Sequence, residues 1–389
     1  MKPEVPNPPL QVAMATSDDR QEILFLWNEF ILRHRFKHNW EEILSHVFNE
    51  GNPKVYENCA IVRDQWQIVA AGCLVPMTLQ LAGIAVEVGV LTGIVTRPEY
   101  RRQGLLAKIN QRLIQLMEEK DLSLGLLWGY RDRYRPFGFE ICGKRNRYFI
   151  PKRKFSVVSS EDISKIREFS LDKDKRLIDE IARVQFLSRK EVRDHHHQLF
   201  CRANLRTCVY DNPGNSALVS INGEKPADAK QLEVFYTAGS FDKVKVLLDH
   251  LMSGSSYEEC VVIGRPDLTE KDEAFYDFYE WFHSEHLCNI RINDLEKLLD
   301  QLRPALQPVL DQLKCRIHLS MKNRDKTQTW LGGPLKADKK FTGHYTDTQM
   351  VRLLFGPERP WELPFTDQNA KLLGSLFPLP FYISPFEGV

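Results

Sequence analysis

One run of the chain, from Val86 to Trp128, constrains the fold more than any other. Residues 86–96 are apolar and rich in β-branched side chains, which predicts a buried strand. A Pro98-Glu99-Tyr100 turn follows and delivers Arg101, Arg102, Gln103 and Gly104 to a helix start. Over 104–120, Leu106, Ile109, Leu113, Leu116 and Met117 recur at helical spacing on one face, the pattern of a strongly amphipathic helix. Residues 122–128 return as a strand, so the run predicts a strand–turn–helix–strand unit. The free N–H groups at a helix N-terminus, with the positive end of its dipole, bind anions. Gly104 lets backbone approach a phosphate closely, and the two arginines can add charge-assisted hydrogen bonds. This turn is a candidate pyrophosphate site; the alternative is a solvated basic turn.

Length and charge narrow the function classes. The chain has 389 residues, 43% of them hydrophobic, with 53 Lys+Arg against 52 Asp+Glu. That predicts two to three domains of an ordinary soluble globular protein. A net charge of +1 argues against a whole-protein nucleic-acid binder. The eight cysteines form no C-x-x-C pair, so they read as reduced thiols of a cytoplasmic protein. The N-terminus has no apolar run, which argues against a secretory signal. Residues 68–86 are uncharged and of membrane-spanning length, but Pro76, Gly72 and a period-two alternation from Met77 to Ala82 predict strand and no membrane span.

Three sections follow one another. In the first, to about residue 150, strands are predicted at 10–16, 58–65 and 68–80, with Ser17 as the cap of a helix carrying Ile23, Leu24, Leu26, Trp27 and Phe30. The second, 151–288, repeats this order: helix at 177–187, strands at 207–210, 216–221 and 232–237, helix at 242–252, strand at 260–263. The third, 289–389, opens with helical Leu295, Leu298, Leu299 and Leu302, has strands near 316–321 and a helix near 348–355, and ends in a proline-rich tail. His195-His196-His197 beside Asp194 make a poor single-metal cage, because consecutive helical residues point apart. No metal site is predicted.

The 86–106 segment resembles the acyl-CoA-binding motif of the GNAT acetyltransferase superfamily, Arg/Gln-x-x-Gly-x-Gly/Ala. Arg101, Gly104 and Leu106 stand at its three defined positions, the last departing from the pattern. The form Arg-Arg-x-Gly-Leu-Leu is similar to the enhanced intracellular survival (Eis-like) branch. Ile290 to Leu295, Leu353 to Gly356 and Leu376 to Pro380 extend the likeness over the whole chain. The resemblance implies an α+β fold with two GNAT-type (acyl-CoA N-acyltransferase) domains, 1–150 and 151–288, followed by a sterol-carrier-like domain, 289–389.

It further implies an acetyl-CoA-dependent N-acetyltransferase acting on a primary amine, of aminoglycoside-like polyamine or lysine type, assembled as a homo-hexamer. The acetyl-CoA set is Gly93, Ile94, Val95, Arg101, Arg102, Gln103, Gly104, Leu105, Leu106, Gly129 and Tyr130. Tyr134, three residues before Phe137-Gly138, takes the role of general acid. No histidine lies between His46 and His195. In the resembling family the chain's terminal carboxylate is the base, here that of Val389, where the usual terminal aromatic is missing; Glu87 on the preceding strand is the competing base. The second section has Tyr236 to Asp242 where the arginine turn would stand, and Asp242 would repel a pyrophosphate, so that section is expected not to bind CoA. The rival function is a non-catalytic small-molecule or lipid carrier built on the third section.

Overall fold

Apolar runs broken by turn residues become an antiparallel meander: β1 (Val12–Met14), β2 (Cys59–Asp64), β3 (Gln67–Leu81) and β4 (Ile84–Thr96). The membrane-length run folds back on itself at Ala82-Gly83. Both residues have positive φ, 49° and 80°, as a two-residue turn matched to strand twist requires. In the computed structural model, residues 10–32, 37–49, 51–181, 187–188, 199–224, 229–265, 273–323, 326–366, 370–380 and 382–383 are described. Among these, no helix is long and apolar enough to cross a membrane.

The Leu105–Glu119 helix carries the chain back so that β5 (Leu124–Leu127) lies parallel to β4. Its apolar stripe buries Leu105, Ile109, Leu113 and Met117 against Ala60, Val62, Val69, Leu74 and Leu91. Each leucine fully withdrawn from water contributes about 1.5–3 kcal/mol. Next comes β6 (Glu140–Pro151), for which no strand is predicted from sequence. Its centre, Lys144 to Arg147, carries three positive charges. In the sheet those charges meet carboxylates far away in the chain: Arg145 Nε donates to Glu285 Oε1 at 2.6 Å and Arg147 Nη2 to Glu233 Oε1 at 3.0 Å.

The second section holds β7 (Ile166–Glu168), β8 (Leu187–Ser188), β9 (Leu205–Tyr210), β10 (Ala217–Asn222), β11 (Gln231–Gly239) and β12 (Glu259–Gly264). Strands β9 to β11 are antiparallel, and after the Phe241–Met252 helix β12 runs parallel to β11. The β4–helix–β5 arrangement therefore occurs twice. The helix expected at 177–187 instead spans Leu171–Ile181, and Leu187 and Ser188 pair with Leu79 and Thr78. The first helical cap also moves by one residue. Thr16, not Ser17, precedes the turn, and the Asp19 carboxylate accepts its N–H at 2.8 Å.

β13 (Trp281–Ile292) enters between β5 and β6, antiparallel to both, while the other edge of β6 pairs with β12. One 13-stranded sheet results, in the order β1-β2-β3-β4-β5-β13-β6-β12-β11-β10-β9-β7, with β8 on β3. The division at residue 288 falls inside β13. The third section then closes the first section's core: Leu295, Leu298, Leu299, Leu353 and Leu354 join Val86, Val88, Val90, Leu126 and Ile290 in one cluster. It also carries a three-stranded sheet, β14 (Cys315–Asn323), β15 (Lys326–Gly332) and β16 (Lys339–Thr346), in the order β15-β14-β16.

Candidate active site

The site begins with a defect in β4. Ala71 faces Val95, yet Cys73 faces Thr92, so β4 holds one residue more than β3 across this interval. Such a bulge interrupts the ladder and frees backbone groups for a ligand. Gly93 sits in it with φ +64°, and Trp27 Nε1 donates to its carbonyl at 2.7 Å. A Cβ at Gly93 would lie 2.5 Å from the indole, so only glycine fits beneath that ring. Gly93, Ile94 and Val95 thus stand together on the bulge.

Beside the bulge the sheet opens. Pairing of β4 with β5 ends at Leu91 and Leu127, while β4 continues to Thr96. Beyond Leu127 the chain leaves through Gly129 and Tyr130, both exposed. A wedge at the carboxyl ends of two parallel strands is where open α/β sheets bind ligands. The Leu105–Glu119 helix starts at this same end, because it runs back antiparallel to β4.

Its entry turn is exposed from Arg101 to Gly104. Arg102 and Gly104 have φ of +65° and +73°, and a Cβ at Gly104 would meet nothing within 4 Å. A left-handed arginine is strained by about 1–2 kcal/mol, and such strain collects at ligand-binding turns. The helix ladder opens only with Lys108 N–H donating to Gly104 O, leaving the preceding N–H groups for an anion. Among the described residues neither Arg101 nor Arg102 makes an ion pair. Exposed N–H groups and two guanidiniums at one turn suit a phosphate-type anion.

Tyr134 closes the far side of the wedge from the short Arg131–Tyr134 helix. Its ring lies against Gly129, where a Cβ would sit 2.5 Å away, and edge-on to Phe139 at 6.3 Å. Burial raises its phenol above the usual pKa of 10, partly offset by the Arg133 charge. Several long-range contacts fix this turn. Glu140, 1% exposed, takes a two-pronged bond from Arg131. Burial alone would raise the Glu140 carboxyl, but Arg131, the Ile141 N–H and the nearby Arg135 hold it below the usual range. From β13, Arg291 donates to the Phe137 carbonyl, and Asn289 Nδ2 donates to Gly129 O at 3.0 Å. Asn289 is 2% exposed, and its Oδ1 makes no hydrogen bond among the described residues.

The two candidate bases fare differently. Glu87 lies six residues before Gly93, about 20 Å along the strand. It accepts from Thr78 Oγ1 at 2.9 Å, on the face where neighbouring Gly89 meets Met117 near the far end of the helix. Along the strand it stands four residues before Leu91, where β4 and β5 part. Val389, like His195, His196 and His197, lies outside the described residues.

A further group of residues has no sequence signal. The Trp27 ring lies 5.0 Å from that of Trp40, tilted by 37°, and Trp40 Nε1 is buried without a hydrogen bond among the described residues. Two residues earlier, His38 approaches the Glu224 carboxylate of the second section at 3.7 Å. The Glu224 side chain is 4% exposed, and neither of its oxygens accepts a hydrogen bond among the described residues. Nearby, Arg202 Nε donates to Ile43 O and Ala203 N–H to Glu42 O. A buried carboxylate left unsatisfied is costly, which marks this seam as a place for a donor-rich ligand. Spacing could not reveal it, since its parts lie almost 190 residues apart. No group of three or more His, Cys, Asp or Glu placed to hold a metal occurs among the described residues.

Bulge, splayed strands and a glycine-headed helix lie together at one end of the sheet. Residues 11–142 match the family model described as Acetyltransferase (GNAT) domain. The fold of the whole chain is similar to that of several solved structures. A probable N-acyltransferase from Enterococcus faecalis is 14% identical, with 97% of this chain and 100% of that one covered and a TM-score of 0.64. A GCN5-related N-acetyltransferase from Anabaena variabilis is 14% identical over 94% and 96%, with a TM-score of 0.66. Eis1 from Mycobacterium abscessus is 14% identical over 96% and 99%, with a TM-score of 0.60. At such identity the likeness carries the GNAT-like acyltransferase fold alone. No curated protein matches the chain.

Proposed function

We propose that this chain is an acetyl-CoA-dependent N-acetyltransferase that transfers its acyl group directly to a primary amine. The observation that carries the reading is the convergence of three features at one end of the sheet: the Gly93 bulge, the Arg101–Gly104 turn and Tyr134. Acyl-CoA supplies the activated acyl group. The bulge orients the thioester, the turn holds the pyrophosphate through N–H groups and two guanidiniums, and the Tyr134 hydroxyl gives its proton to the departing thiolate. The Val389 carboxylate is the base in this reading, with Glu87 as the competing base. The eight cysteines supply no nucleophile in the wedge that would favour a covalent relay. The three-part division, the sterol-carrier-like character of the third section and a homo-oligomer belong to the same proposal.

The direct experiment follows free-thiol release from acetyl-CoA with a panel of primary amines. Amine-dependent release establishes the activity, and its absence across the panel returns the chain to a carrier role. One glycine appended after Val389 should leave acetyl-CoA binding intact and lower turnover. Full activity in that variant removes the terminal carboxylate from the mechanism.

The acceptor amine is assigned to the seam around His38, Trp40 and Glu224. A cation there would satisfy the orphaned carboxylate, an interaction of about 1.5–3 kcal/mol. Glu224→Gln is therefore expected to raise KM for the amine about tenfold or more, with kcat and acetyl-CoA affinity little changed. An unaltered amine KM would place the acceptor elsewhere.

A further inference from the structure

The outer face of the third section's sheet carries charges that the fold does not neutralise. On β14, Arg316 and His318 alternate with Ile317 and Leu319, which are turned into the core. Arg316 stands directly opposite Lys340 of β16, and His318 opposite Thr342 on one side and Leu331 on the other. Like charges facing one another across a strand pair repel. Elsewhere in this protein, sheet arginines face carboxylates, as Arg145 does with Glu285 and Arg147 with Glu233. Among the described residues, Arg316 and Lys340 have no ion-pair partner. Around them the twisted face forms a pocket of about 560 Å³, within the range of small-molecule sites. Thr329 and Thr342 add hydroxyls and His318 an imidazole to its wall, and among the described residues Glu296 is the single carboxylate in the lining.

We infer that this pocket binds a small, soluble phosphate-type anion, separate from the wedge at β4 and β5. The two cations would each give a charge-assisted hydrogen bond to its oxygens, with the hydroxyls and imidazole completing the shell. Glu296, on the pocket wall, would accept from any hydroxyl or amine donor that the ligand carries beside its phosphate. An anion between Arg316 and Lys340 also removes their mutual repulsion, so binding and stability are linked.

The test uses the full chain carrying Arg101→Ala and Arg102→Ala, so that the turn of the other site does not contribute, and inorganic pyrophosphate as the probe in calorimetry. Saturable binding is expected to persist in that background and to fall tenfold or more when Arg316→Ala and Lys340→Ala are added. Thr329→Asp, at an exposed position, places a carboxylate among the cations. It is expected to abolish binding while leaving the melting temperature unchanged or raised, which keeps the test informative if the alanine variant folds poorly. Vesicles of phosphatidic acid in place of pyrophosphate separate a soluble ligand from a lipid headgroup. The inference is overturned if pyrophosphate does not bind in the Arg101/Arg102 background, if its affinity survives both pocket variants, or if only vesicles bind.

Discussion

Tyr134→Phe is expected to lower kcat about 100-fold or more, the usual worth of a positioned general acid, while acyl-CoA affinity stays nearly intact. The separation follows from the geometry. The ring packs on Gly129 and Phe139, so phenylalanine keeps the wall of the wedge and loses only the hydroxyl. The pH profile gives a second readout. The phenol must be protonated to act, and burial raises its pKa above the ordinary 10. Activity that depends on it is therefore retained through neutral pH and lost only as pH rises through that raised value. The phenylalanine variant should lack this alkaline limb. Steady-state kinetics from pH 6 to 11 measure both effects. Near-normal turnover in the variant would mean that water or another group protonates the thiolate.

Arg101→Ala with Arg102→Ala is expected to weaken acyl-CoA binding about 100-fold or more, from two charge-assisted hydrogen bonds of about 1.5–3 kcal/mol each. The loss should shrink at high ionic strength, because both guanidiniums are exposed and their attraction to phosphates is screened. Arg102 has a separate signature. Its φ of +65° strains any residue with a Cβ, so Arg102→Gly should raise the melting temperature while still weakening acyl-CoA binding. Calorimetry with acyl-CoA and thermal denaturation read the two effects independently. Unchanged affinity in the double variant would move the pyrophosphate away from this turn.

Local chemistry was legible in the sequence wherever a side chain's neighbours lie close along the chain. The strands and helix between 59 and 127 follow from period-two and period-3.6 patterning, and the arginine–glycine turn follows from what a helix N-terminus lacks. The match of residues 11–142 to a GNAT domain agrees with that local reading. Gly93 drew notice only as part of the motif. Its necessity comes from Trp27, 66 residues away, whose indole leaves no room for a Cβ.

What the sequence by itself determined is the strand–turn–helix–strand unit with its arginine–glycine turn, because propensity, patterning and helix-end chemistry act over a few residues. The tertiary structure alone decided three other things. It placed β13 between β5 and β6, which puts Asn289 and Arg291 behind the turn carrying Tyr134. It made the charged stretch of β6 part of a central strand, where Glu285 and Glu233 meet Arg145 and Arg147. It also brought Glu224 to His38 and Thr78 to Glu87. Pairing between distant segments depends on which buried charges and apolar faces find complements in three dimensions, and that energy is a property of the assembled sheet rather than of any window of the chain.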